Sequence, residues 1–139
     1  MPESELLNEG ETVIGRYNVE IARVTRDGRF TSTVPPIFII ITDKRMILQP
    51  QTRKRYAPAI IHGQFIKNAQ QLKNERSGTT IILKNDYRIN LFITTNLNPT
   101  FINQVRQLAL LPPIKDYALP LSIDGLSKLI QYFEHLVSI

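Results

Sequence analysis

From Thr12 onward apolar and polar residues alternate with a period of two. Val13, Gly15, Tyr17, Val19 and Ile21 fall on one side, and Ile14, Arg16, Asn18, Glu20 and Ala22 on the other. That alternation predicts a long, half-buried strand. Asp27-Gly28 predicts a tight hairpin turn, because glycine supplies the positive φ such turns require. The returning strand begins over residues 30–33. Pro35-Pro36 then interrupts it, since neither ring nitrogen donates to a ladder, so an edge or a bulge belongs there. Ile37-Phe38-Ile39-Ile40-Ile41-Thr42 is the most β-prone run in the chain. Asp43-Lys44 turns it back into residues 45–49, and a further turn falls at Thr52-Arg53-Lys54-Arg55. Residues 56–62 and 65–73 predict the fourth and fifth strands, the fifth ending at Asn74-Glu75-Arg76-Ser77-Gly78. Residues 79–84 and 88–93 predict a last hairpin over Asn85-Asp86. Short turns join seven strands without a βαβ rhythm, which predicts an antiparallel sheet.

Past the strands the period lengthens to 3.6. Asn98 reads as an N-cap and Pro99 as the first helical residue, where a missing N–H costs nothing. Phe101, Ile102, Val105, Leu108 and Ala109 then share one face, and Pro112-Pro113 stops the helix. Residues 115–121 read as a linker. Asp124 caps a second helix whose apolar stripe is Leu126, Leu129, Ile130, Phe133 and Val137. At the other end, Glu3, Glu5, Glu9 and Glu11 surround Leu6-Leu7, which fits a short helix or an arm. No run reaches the ~18–20 apolar residues of a membrane span. The acidic start is not a secretory signal. The expectation is a soluble, cytoplasmic chain, with peripheral membrane association left open.

Seven antiparallel strands followed by an amphipathic helix resemble a pleckstrin-homology (PH)-like barrel. Two stretches bring the sequence closer to the GRAM and bacterial PH-like families. Leu6-Leu7-Asn8-Glu9-Gly10-Glu11-Thr12-Val13 is similar to their "gE-x-v" start. Phe38-Ile39-Ile40-Ile41-Thr42-Asp43-Lys44-Arg45-Met46-Ile47-Leu48 is similar to their "lT-x-x-Rl" second hairpin. The resemblance covers residues 9–111. It departs from the PH pattern in lacking a tryptophan in the C-terminal helix, as GRAM-like members often do. It implies a mainly β fold with a C-terminal helix: a seven-stranded antiparallel barrel of two orthogonal sheets. Residues 1–111 would form that barrel, capped by a helix over 99–111. Residues 112–139 would add a linker and an amphipathic helix, packed on the domain or at an interface. The resemblance also implies a non-enzymatic module that binds phosphoinositides, other lipids or protein partners, although fold alone does not fix function.

Composition narrows the chemistry. A chain of 139 residues with 42% hydrophobic and 21% charged side chains suits one globular domain. It has no cysteine, which removes disulfides, thiolate catalysis and every cysteine-containing metal site. His62 and His135 are the only imidazoles, and neither has a second histidine at ligand spacing. There is no Gly-x-Ser-x-Gly, no P-loop and no dinucleotide fingerprint, and the carboxylates are scattered. The expectation is no enzyme, no metal and no cofactor.

The net charge of +5 is unevenly spread. Residues 1–22 carry −4, residues 23–90 carry +9, and residues 91–139 are neutral. The densest cluster is Arg53-Lys54-Arg55. Arg26 and Arg29 flank the first hairpin, and Lys84 and Arg88 flank the last. In PH-like domains the turns between strands one and two, three and four, and six and seven surround the open end. The resemblance therefore implies that Arg26, Arg29, Arg53, Lys54, Arg55 and Lys84 gather around one mouth. Guanidinium forks suit phosphate and carboxylate oxygens, so an anionic lipid head group or an acidic protein segment is the expected guest. Against this, Asp27 and Asp86 dilute the field. Arg26-Asp27-Gly28-Arg29 also lacks the Arg-x-Arg spacing of tight phosphoinositide binders, and basic turns also serve solubility.

Two other readings compete. Arg55-Tyr56, Phe65 with Lys67, and Tyr87-Arg88 could serve nucleic acid on an OB-type barrel. That fold places its helix between strands three and four, whereas here the helix follows all the strands, so nucleic acid is disfavoured. The alternative function is assembly, as a homodimer or on another protein, through the stripe of Leu126, Leu129, Ile130, Phe133 and Val137. The polar face beside that stripe, Ser127, Lys128, Gln131, Glu134 and His135, is too poor in cations for a membrane-surface helix.

Overall fold

The first hairpin shows how turn chemistry and proline shape this sheet. The computed structural model describes residues 6–51 and 58–112. In it β1 (Val13–Val24) pairs antiparallel with β2 (Phe30–Thr42). The connecting turn places Gly28 at φ +82°, and the Thr25 N–H donates to Arg29 O at 2.7 Å. Further along, Glu20 faces Pro36 while Ile21 faces Thr33, so Val34 and Pro35 are extra residues on β2. The prolines thus make a bulge within one long strand, which the backbone accommodates without losing the ladder on either side.

A second slip has a larger effect on side chains. Val13 faces Thr42 and Gly15 faces Ile41, so Ile14 is an extra residue and lies exposed. One added residue reverses the faces of a strand. Val13, expected beside Tyr17, accordingly packs on the opposite side of the sheet.

β3 (Arg45–Pro50), β4 (Ala59–His62), β5 (Ile66–Gln71), β6 (Gly78–Leu83) and β7 (Arg88–Phe92) follow in sequence. The hydrogen-bonded order is β4-β3-β2-β1-β7-β6-β5. The two halves expected as separate sheets are joined where β1 meets β7, through Glu20 with Phe92 and Ile21 with Leu91. The sheet remains unclosed, because β4 and β5 do not pair with each other. A 3-10 turn over Gly63–Phe65 links them. This turn takes Phe65, the first residue expected for the fifth strand.

Helix α1 (Asn98–Ala109) covers the opening and contacts β5 and the 3-10 turn. Its expected apolar face is the one buried: Phe101, Ile102, Val105 and Leu108 join Tyr17, Ile39, Met46, Ile61, Ile81 and Leu91 in the main core. Tyr17 meets Phe101 edge-on with ring centroids 4.9 Å apart, and its hydroxyl donates to Gln104 Oε1 at 2.6 Å. At its far end α1 stops at Ala109, ahead of the proline pair, where the Leu111 N–H turns back to Leu108 O.

Asn98 departs from its expected capping role. Leu97 occupies the N-cap position, and Asn98 is the first residue of the helix, 2% exposed. Its Nδ2 donates to Gly78 O at 2.8 Å and Arg76 O at 3.1 Å, and its Oδ1 accepts from the Thr79 hydroxyl. A buried amide must satisfy its polar atoms, and here it does so across elements. The side chain stitches α1 to the β5–β6 turn.

The other close approach is at Gly63, whose α-carbon faces the Leu108 carbonyl so closely that a methyl group would overlap it. Overpacking of this kind costs about 1–3 kcal/mol. Gly63→Ala is therefore expected to lower the stability read by urea unfolding by that amount. Gly28→Ala, strained in φ but open in space, should leave the helix contact intact.

Candidate functional site

Three of the six basic candidates lie in described turns. Arg26 and Arg29 are exposed on the β1–β2 turn, and Lys84 is exposed on the β6–β7 turn. The antiparallel register sets the end of β1 beside the start of β7, so these two turns occupy one end of the sheet. β3 ends and β4 begins toward that same end. Arg53, Lys54 and Arg55 lie outside the described residues. So do Leu126, Leu129, Ile130, Phe133 and Val137, together with the second helix they would form.

Each described turn carries its own counter-charge. Arg29 Nε stands 3.5 Å from Asp27 Oδ2, both side chains exposed. The Thr25 hydroxyl donates to Asp27 and holds its carboxyl below the usual range. On the other turn Asp86, at φ +67°, accepts from Lys67 Nζ at 2.7 Å. The hydrogen bond and charge of Lys67, then the charge of Arg88, keep that carboxyl low. Lys67 reaches the turn from β5, a position that sequence spacing alone did not connect with it. Arg26 and Lys84 have no acidic partner among the described residues, while Arg88 acts on Asp86 through its charge alone, without an ion pair within bonding distance. Of the aromatic residues set beside these cations, Phe65 is buried in the core and Tyr87 packs against it, so these two form no stacking platform; Tyr56 lies outside the described residues.

On the opposite face of β2–β3 the two family-like motifs meet. Glu11, from the Gly10-Glu11-Thr12-Val13 stretch, has a fully buried side chain. Arg45 Nε donates to its Oε2 at 2.8 Å and Nη2 to its Oε1 at 3.0 Å. The Thr42 hydroxyl donates to Oε2 at 2.8 Å, and the Asn8 N–H to Oε1 at 2.9 Å. Arg45 Nη2 also donates to Leu6 O at 2.7 Å. Burial alone would raise the Glu11 pKa. The bonds from Arg45, Asn8 and Thr42, with the Arg45 charge, overcome that and hold it at about 2.

The bidentate clamp fixes the N-terminal arm over a second apolar cluster, in which Leu6 buries Ile40 and Ile47 beside Val13, Phe38 and Ile60. His62 sits opposite Arg45 in the β3–β4 register. Burial and then the Arg45 charge push its imidazole below the ordinary range, with Glu11 partly opposing them. Among the described residues no three His, Cys, Asp or Glu side chains group to hold a metal. No described helix is long and apolar enough to cross a membrane.

The sequence matches no protein-family model and no curated protein. Solved structures do match. The N-terminally truncated linker-DH/PH domains of p115-RhoGEF align over 80% of this chain and 33% of theirs, with a TM-score of 0.56 and 10% identity. The linker-DH/PH domains of the same protein align over 76% of this chain and 32% of theirs, with a TM-score of 0.56 and 9% identity. The chain has a PH-like fold. The chain spans about a third of the length of the structures it matches. At such low identity the likeness concerns the fold alone.

Within this PH-like frame, Glu11 gives a pH signature. Its folded pKa of about 2 lies below its ordinary 4.5. The stabilisation is therefore complete above pH ~4.5 and is lost as pH falls through ~2, amounting to about 3 kcal/mol across that window. Urea unfolding of the wild type between these limits should show this slope, and Glu11→Gln should flatten it. An equal slope in both proteins would deny Glu11 this role.

Proposed function

We propose that this PH-like chain is a non-catalytic recognition module whose basic turns hold an anionic partner, a lipid head group or an acidic protein segment. The observation that carries this reading is the common end shared by the β1–β2 and β6–β7 turns, where Arg26 and Lys84 have no acidic partner among the described residues. Arg53, Lys54 and Arg55, in the β3–β4 connection, would add three cations to that end. Guanidinium and ammonium groups on rigid hairpins bind phosphate or carboxylate oxygens through charge-assisted hydrogen bonds. Asp27 and Asp86 temper the field and so favour a multivalent guest over a single small ion. In this reading residues 1–111 are the recognition unit and 112–139 an appended segment. The meeting of Glu11, Thr42 and Arg45, all from the motifs that resemble GRAM and bacterial PH-like families, supports placing the chain in that branch.

Vesicle co-sedimentation tests the proposal. Phosphatidylcholine vesicles doped with an anionic lipid should recruit more protein than neutral ones, and salt should reverse the difference. Arg26→Glu combined with Lys84→Glu should weaken recruitment by about tenfold, since charge reversal replaces attraction with repulsion. Equal recruitment by neutral and anionic vesicles removes the lipid form. An acidic peptide that binds the wild type and not this variant would then identify a protein segment as the guest.

A further inference from the structure

At the end of the sheet opposite the β6–β7 turn, a cavity of about 500 Å³ lies between the start of α1 and the β5–β6 turn. Its walls include Gln71, Arg76, Thr95, Asn98, Ile102 and Arg106, and no acidic side chain among the described residues lines it. The size falls within the roughly 300–1,000 Å³ of small-molecule sites.

Both arginines keep side-chain donors unused, Arg106 with its guanidinium held at one nitrogen and Arg76 with only its backbone held. Arg106 Nε donates to Ala69 O, on edge strand β5, at 2.7 Å. Its terminal nitrogens have no acceptor among the described residues. Arg76 is held through its backbone, because the buried Asn98 side chain donates to its carbonyl at 3.1 Å. Its guanidinium too has no partner among the described residues. Two cations facing one concavity repel each other, and a group with several anionic oxygens between them would turn that repulsion into paired charge-assisted bonds. Arg106 is held by its own side-chain hydrogen bond, so on binding the Arg76 side chain is the one of the two that must be ordered.

We infer that this cavity is a second anion site, separate from the basic turns, and that it takes a phosphate-bearing small ligand. The phosphate could belong to a soluble phosphorylated molecule or to a lipid head group. The chemistry of recognition is the same: Arg106 and Arg76 bind the phosphoryl oxygens, and Gln71 and Thr95 offer polar contacts to the remainder. The site stands independently of the function proposed for the other end of the sheet.

Amide and arginine-Nε NMR of the full chain, titrated with pyrophosphate at low ionic strength, tests the inference. The expected result is a saturable shift of the Arg106 Nε–H signal and of the Arg76 and Thr95 amides. Arg76→Gln, which disturbs no described contact, should weaken binding about tenfold, and Arg106→Lys several-fold because the fork is lost. Vesicles of phosphatidylcholine with a phosphoinositide form the second arm. Shifts at the same residues with vesicles identify a head group as the source, and shifts with pyrophosphate alone identify a soluble ligand. The inference is overturned if the shifts do not saturate, if Arg76→Gln leaves them unchanged, or if they are confined to the β1–β2 and β6–β7 turns. That last outcome would leave the proposed function standing. Loss of vesicle binding at those turns, with saturable shifts here, would do the reverse.

Discussion

The ion pair between Glu11 and Arg45 decides which faces of this sheet can be dry. β2 is apolar on both sides: Ile37, Ile39 and Ile41 fill the main core, while Phe38 and Ile40 project the other way. A sheet with one face in water does not tolerate such a run, so the second face needs a cover. Leu6 supplies one, and Arg45 holds it in place by bonding both Glu11 and the Leu6 carbonyl. Buried pairs of this kind add little net stability relative to an apolar replacement, because desolvation offsets their attraction. Removing one partner is costly, since it strands a buried charge. The pair therefore specifies where the arm lies more than it strengthens the fold.

The remaining architecture follows from where the sheet is left open. β4 and β5 do not pair, and α1 fills the gap with Phe101, Val105 and Leu108. Gly63 lets the linking turn approach the helix backbone, and Asn98 ties the helix start to the β5–β6 turn. Arg106 occupies Ala69 O on the outer edge of β5, which blunts that edge against another strand. The hairpins at the two ends of the sheet are thus presented by a frame fixed on all sides. In the proposed readings, positive charge carried on this frame is what each end would offer an anionic ligand.

Much of the fold was legible because strand and helix periods are local properties. Alternation gave β1, the proline pair marked the bulge on β2, and 3.6-residue spacing gave the buried face of α1. The misplacements share one cause, which is that tertiary demands override local preference. Asn98 has the chemistry of a cap, yet three partners on β6 and the preceding turn draw it inward. Val13 matches the inner pattern, but the extra residue at Ile14 moves it to the other face. The candidate site was less legible. Which turns share an end depends on register between β1 and β7, some seventy residues apart in sequence. The pairing of Lys67 with Asp86 and the groove between Arg76 and Arg106 depend on the same non-local geometry. The short motifs around Glu11 and Arg45 were visible as a resemblance, whereas their direct contact was not.

A double-mutant cycle in urea, pairing Glu11→Gln with Arg45→Met, measures this clamp most directly at neutral pH. Each single change should cost about 3 kcal/mol or more by leaving its partner buried and unpaired, and the double variant should recover much of that loss. The coupling energy should then reach about 2–3 kcal/mol. Additive losses, with a coupling below ~0.5 kcal/mol, would contradict the clamp as the constraint that organises the arm and the outer face of the sheet.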